Sequence, residues 1–257
     1  MTSRMQELLA IMARLRAADG CPWDRQQTFA SIAPFTIEEA YEVADAVQRG
    51  DMQHLKGELG DLLFQVVFHS QMASEAGQFD FEAVAGSICE KLLRRHPHVF
   101  GDRAQLSAAE QSIAWEEIKA RERGAADSSA MQGVPDALPA LMRADKLSKR
   151  AARVGFDFEF AGQSADKVAE ELAEVRDAAD GKAAAAIFEE VGDLLFAAAN
   201  LARKLDVDAE AALRAANAKF ERRFRRMERL AIERGEVFAE LNLAGQESLW
   251  QSVKRDE

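Results

Sequence analysis

Apolar side chains recur along this chain at helical spacing, among long stretches of Ala, Leu, Glu, Arg and Gln. No run alternates β-branched and polar residues long enough to predict a strand. Five prolines and 15 glycines in 257 residues punctuate the pattern only sparsely. The expectation is an all-α protein. The longest charge-free stretch runs from Leu62 to Ser74, short of the ~18 apolar residues of a membrane span. The first twenty residues are amphipathic, but Glu7 and Asp19 flank no clean apolar signal region.

A repeat organises the chain. Glu39, Glu42, Glu58 and Asp61 return at a fixed offset of 132 as Glu171, Glu174, Glu190 and Asp193. Each set reads ExxE, a 19-residue step, then ExxD. Gly60-Asp61-Leu62-Leu63-Phe64 is matched by Gly192-Asp193-Leu194-Leu195-Phe196. Lys91-x-x-Arg94-Arg95 is echoed 128 residues on by Lys219-x-x-Arg222-Arg223, and Trp115-x-x-Ile118-Lys119 returns 135 residues on as Trp250-x-x-Val253-Lys254. Offsets this close mean small loop differences between two related domains. Residues 121–139 break helical periodicity with Gly, Ser and two prolines and read as a linker. The predicted architecture is two tandem, related helical domains, each like a four-helix bundle, over 1–120 and 140–257.

Residues three apart on a helix share a face, so each acid pair points one way. Gln48-Arg49-Gly50-Asp51 in the first copy and Asp177 to Lys182 in the second supply a turn between the pairs, with Gly181 suited to a helix end. A helical hairpin would bring the pairs opposite one another. Four facing carboxylates need cations or raised pKa values to coexist. All four ligands are oxygen, so Mg²⁺ or Mn²⁺ suits them better than zinc. The di-iron bundles place His where this chain has Asp61 and Asp193, which disfavours iron. A single ExxE is most simply a solvated helix face; its repetition beside GDLLF argues otherwise.

The net charge is −11, with 33 basic and 44 acidic residues. Splitting at residue 130 leaves −7 (13 basic, 20 acidic) and −4 (20 basic, 24 acidic), so neither half is a basic nucleic-acid module. Against that background residues 219–229, KFERRFRRMER, carry six basic and two acidic side chains. Arginines often only tie helices together, but a Lys/Arg stripe facing carboxylates is also a phosphate site. No GxxxxGK[ST] or GxGxxG is present. Trp250 is either a core residue or a platform for a base. His96-Pro97-His98 lacks the further partners a metal site needs. Cys21 and Cys89, without CxxC spacing, fit a reducing compartment, and the expected location is cytoplasmic.

Together these motifs resemble the MazG family of all-α nucleoside triphosphate pyrophosphohydrolases. The resemblance spans nearly the whole chain. It is carried by Cys21-Pro22-Trp23-Asp24 with Gln27-Thr28, by the two EExxE…ExxD sets, by Arg94-Arg95-His96-Pro97-His98-Val99-Phe100, and by Asn217-x-Lys219-Phe220-Glu221-Arg222-Arg223-Phe224. It implies a dimer that hydrolyses NTPs or dNTPs to monophosphate and pyrophosphate with Mg²⁺, as housekeeping of the nucleotide pool. Carried over by motif, Glu171, Glu174, Glu190 and Asp193 are the catalytic acids and hold the metal. Lys167, Lys219, Arg222 and Arg223 bind phosphates, and Trp250 lies beside the nucleotide. Glu171 or Glu174 would orient or deprotonate the attacking water. The first-copy counterparts are Glu39, Glu42, Glu58, Asp61, Lys91, Arg94 and Arg95. Phe35 stands where the second copy has Lys167, and HPHVF replaces the extended basic stripe, so catalysis is expected in the C-terminal copy. The rivals are a non-enzymatic nucleotide-binding regulator and a narrower pyrophosphatase acting on dUTP/dUDP or phosphoribosyl-ATP.

Overall fold

The computed structural model describes residues 3–101, 107 and 129–256. Trp115, Lys119 and most of the predicted linker lie outside them. No strand occurs among the described residues, and none of their helices is long and apolar enough to cross a membrane. The chain divides into two compact units, residues 1–123 and 124–257.

The first unit comprises α1 (Arg4–Arg16), α2 (Pro22–Gln26), α3 (Phe29–Arg49), α4 (Met52–Glu75), α5 (Phe81–Arg95) and α6 (Pro97–Phe100). Its helices start where side chains satisfy the first free N–H groups. Ser3 and Gln6 form a capping box on α1, Thr28 and Ser31 another on α3, and Asp51 and Asp80 cap α4 and α5. Between α3 and α4, Gly50 takes a left-handed φ of 69°, the conformation in which a Cβ is disfavoured. Met12, Ile32, Val67, Phe68 and Met72 form the core. Arg16 secures the loop beyond α1: it pairs with Glu75 at 2.7 Å, donates to the Asp24 carbonyl at 2.5 Å and lies over the Phe68 ring.

The second unit comprises α7 (Ala140–Arg153), α8 (Ala161–Gly181), α9 (Ala184–Lys204), α10 (Ala209–Glu233), a 3₁₀ turn (Phe238–Glu240) and α11 (Leu243–Arg255). Asp208 and Asn242 cap α10 and α11. The boundaries repeat those of the first unit. Helix α8 begins and ends 132 residues after α3, α9 begins 132 after α4, and α10 begins 128 after α5. The third pair differs in length, 15 residues for α5 against 25 for α10. Pro97 has no N–H to continue the α5 ladder. The left-handed residue closing α8 is Lys182, φ 55°, one position beyond the expected Gly181. Met227, Ala231, Leu249 and Val253 form a core between α10 and α11.

Candidate functional site: a paired-carboxylate hairpin

In each unit the two long helices joined by a two-residue turn carry the acid pairs, and packing along the hairpin brings carboxylates from both helices together. In the C-terminal unit, ligand atoms of Glu171, Glu174 and Glu190 all lie within 4.8 Å of one another. In the N-terminal unit the same is true of Glu39, Glu58 and Asp61, and Glu42 bonds to both Glu39 and Glu58. Asp193 lies outside the tight C-terminal trio. With Lys167 and Glu171 it lines an adjoining recess of about 230 Å³.

The electrostatics of the two clusters differ. Lys167 reaches Glu171 and Glu170, each at 2.7 Å. Hydrogen bonding to that ammonium holds the Glu171 carboxyl below the ordinary glutamate range despite its burial. Glu174, hydrogen-bonded to Glu171 and partly desolvated, is pushed up. Lys167 is itself held protonated by its two carboxylate partners. In the first unit Phe35 occupies the equivalent position and packs edge-on against Trp23. There burial, followed by repulsion from neighbouring acids, raises Glu39 and Glu58, although His54 approaches Glu58 at 3.2 Å.

Three of the four predicted phosphate ligands sit on a separate helix. Lys219, Arg222 and Arg223 lie on α10, where the Arg223 guanidinium stands 5.5 Å from the centre of the Trp250 ring. Trp250 also meets Phe220 and packs against the α10–α11 core. Lys91, Arg94 and Arg95 lie near the C-terminal end of α5. His96 bonds through Nδ1 to the Leu92 carbonyl at 2.7 Å, and its ring lies beside that of His98.

Three residues of this region, Phe156, Phe158 and Asn200, carry no motif. Phe156, Phe158, Phe196 and Asn200 line the recess beside Lys167, and the same four line a second cavity of about 330 Å³. The loop bearing the first two phenylalanines is pinned to α9: Asp157 pairs with Arg203 and Lys204, and Lys204 also donates to the Phe158 carbonyl at 2.6 Å.

Fold and site define a duplicated all-α protein in which each half presents an acidic helical hairpin suited to a hard cation. The MazG nucleotide pyrophosphohydrolase domain matches this chain twice, over residues 27–100 and 163–241. The nucleoside triphosphate pyrophosphohydrolase of Escherichia coli K12 is 52% identical over 259 residues, covering 99% of this chain and 98% of its own. The nucleoside triphosphate pyrophosphohydrolase/pyrophosphatase MazG of Thermotoga maritima is 43% identical over 249 residues, 97% of this chain and 95% of its own. The crystal structure of a mazG-related protein from Thermotoga maritima matches 45% of this chain and 98% of its own, at 28% identity and a TM-score of 0.39. The chain belongs to the MazG family and is an enzyme, a nucleotide pyrophosphohydrolase. Enzymes of this family are metal-dependent, and both carboxylate clusters have the donor chemistry to hold a metal ion.

Proposed function

We propose that the protein hydrolyses NTPs or dNTPs at the α-phosphorus, releasing monophosphate and pyrophosphate, and that the C-terminal copy does the work. The observation that carries this reading is the convergence of Glu171, Glu174 and Glu190 from two helices beside a lysine already bonded to one of them. An all-oxygen set of this kind fits Mg²⁺, with Mn²⁺ as a substitute. Glu171, Glu174, Glu190 and Asp193 would hold it. Bound there, Mg²⁺ supplies Lewis-acid stabilisation of phosphate charge and acidifies water.

The chain's own residues supply the rest. One carboxylate of the Glu171–Glu174 pair orients water and takes its proton. The water oxygen bonds to the α-phosphorus as the bridge to the β-phosphate breaks, and pyrophosphate leaves with the bridging oxygen. Lys167, Lys219, Arg222 and Arg223 offset charge on the phosphates, and Trp250 flanks the nucleotide. Glu39, Glu42, Glu58 and Asp61, with Lys91, Arg94 and Arg95, form a counterpart that is structural, regulatory or a weak second site.

The working form we propose is a homodimer in the cytoplasm, with residues 121–139 linking the domains. Helix α5 buries none of its residues, and Ile88 and Leu92, one turn apart, are each nearly half exposed. Both cysteines are unpaired. Ion-exchange analysis of products formed with Mg²⁺ and each triphosphate tests the chemistry. Monophosphate plus pyrophosphate is the expected pair; diphosphate plus orthophosphate would overturn the assignment.

A further inference from the structure

The C-terminal copy keeps open a space that the N-terminal copy fills. Carried back by 132, the recess positions Ser164, Lys167, Ala197 and Asn200 become Ile32, Phe35, Gln65 and Phe68. Ile32 and Phe68 are 2% and 1% exposed and pack into the core of the first unit, with Phe64, the counterpart of Phe196, against them. A hydroxyl and a carboxamide thus replace two apolar core side chains and give up the burial that those side chains supply. Ser164 is 1% exposed and lines the recess, yet its Oγ has no hydrogen-bond partner. A buried hydroxyl without a partner has lost its hydrogen bonds to water and gained none in return. Local choices that work against stability in this way mark a place for a ligand.

The shape and chemistry of the recess select that ligand. The recess lining combines the charged groups of Lys167, Glu171 and Asp193 with the side chains of Phe156, Phe158 and Phe196 and the Asn200 carboxamide. Phenyl rings stack on flat heterocycles whatever their identity. A carboxamide adds discrimination, because a site built around a buried polar group rejects a partner that leaves it unpaired. The Asn200 Oδ1 accepts from Arg203 Nε at 2.9 Å, so the amide N–H₂ is the end left to donate. A base presents such acceptors on its ring nitrogens and carbonyls.

We infer that this recess receives the nucleobase of the substrate and that Ser164 and Asn200 set which base is accepted, an inference that rests on the triphosphate chemistry proposed for the same site. The N-terminal copy cannot accept a base there, because Ile32 and Phe68 occupy the space.

Restoring the first-copy residues tests this. Ser164→Ile and Asn200→Phe should each raise KM for nucleoside triphosphates at least tenfold and flatten the ranking among bases. Binding of inorganic pyrophosphate with Mg²⁺ should stay unchanged, and circular dichroism should report native helicity. Asn200→Asp, which keeps the shape but removes the donor, should reorder the base preference even if the bulkier variants do not fold. An active protein whose KM values and base ranking survive these changes would overturn the inference. If the wild-type protein releases no pyrophosphate from any triphosphate, the proposed reaction fails separately. Calorimetry with nucleoside monophosphates then decides: binding lost in Asn200→Phe and Asn200→Asp upholds the recess, whereas undiminished binding or none by the wild type overturns it.

Discussion

Lys167 and Glu171 stand one helical turn apart on α8, with Nζ 2.7 Å from Oε1. The pairing holds the Glu171 carboxyl below its ordinary range and places a cation in the lining of the recess. Lys167→Phe, which installs the first-copy residue, should lower kcat/KM for triphosphates by more than tenfold while leaving helicity intact. Lys167→Arg should recover part of that loss. Steady-state kinetics on the two variants checks the prediction, and a Lys167→Phe enzyme of wild-type efficiency would remove Lys167 from the site.

The two carboxylate clusters share a residue pattern but differ in their surroundings, and that difference should appear in turnover. Glu190→Gln deletes one charge from the trio on α8 and α9 and should reduce kcat at least a hundredfold. Glu58→Gln makes the same change on α4, where Glu39 and Glu58 are pushed toward protonation by burial, and should leave at least half the activity. The opposite ranking would move catalysis to the N-terminal unit.

The hairpins were legible because helical spacing and a fixed offset are one-dimensional signals. Glu171 and Glu174 lie on one face by geometry, and the two-residue turn to α9 brings Glu190 to them. Phe156, Phe158 and Asn200 were not legible in that way. They meet because a loop folds back onto α9, held by Asp157, Arg203 and Lys204, and no periodicity encodes such a return. A signal existed nonetheless. Comparing the copies at core positions, where Ile32 becomes Ser164 and Phe68 becomes Asn200, exposes an opening that motif comparison passes over. Trp250 was ambiguous for another reason: a tryptophan set among apolar neighbours reads equally as core or platform, and here it contacts Arg223 while packing against its own unit.

Arg16 makes a stability prediction with a defined pH dependence. Its hydrogen bonds hold Glu75 below the ordinary value of 4.5. Because the folded-state pKa is depressed, the pair's contribution is fully present above pH 4.5 and is lost as pH falls through the lower folded value. Arg16→Met also removes one of the two donors to the Asp24 carbonyl, which keeps the Gln27 N–H at 3.3 Å, and should destabilise the first unit by about 1 kcal/mol. Urea unfolding at neutral pH should show that loss, and the gap between wild type and variant should narrow as acid titrates Glu75.

Association should bury the face that α5 leaves bare. Contiguous apolar patches rarely stay exposed on a soluble protein. Sedimentation equilibrium should give twice the 28.3 kDa chain mass. Ile88→Arg with Leu92→Arg should shift the protein toward monomer. Dimers that survive the double change would place the interface elsewhere.

Metal removal separates a structural role for the carboxylates from a catalytic one. A divalent ion that binds only the folded protein stabilises it by mass action, about 2.7 kcal/mol at a hundred times its Kd. Mg²⁺ should therefore raise the unfolding temperature of the wild type by several degrees, and chelation should lower it again while abolishing turnover. The helices should persist without metal, because their caps and cores are built from other residues. Glu174→Gln removes a ligand and relieves repulsion within the trio, so it should be at least as stable as the wild type without Mg²⁺ and gain less when Mg²⁺ is added. Calorimetry across a Mg²⁺ series distinguishes the cases: an equal gain in variant and wild type would mean that the ion binds away from Glu174.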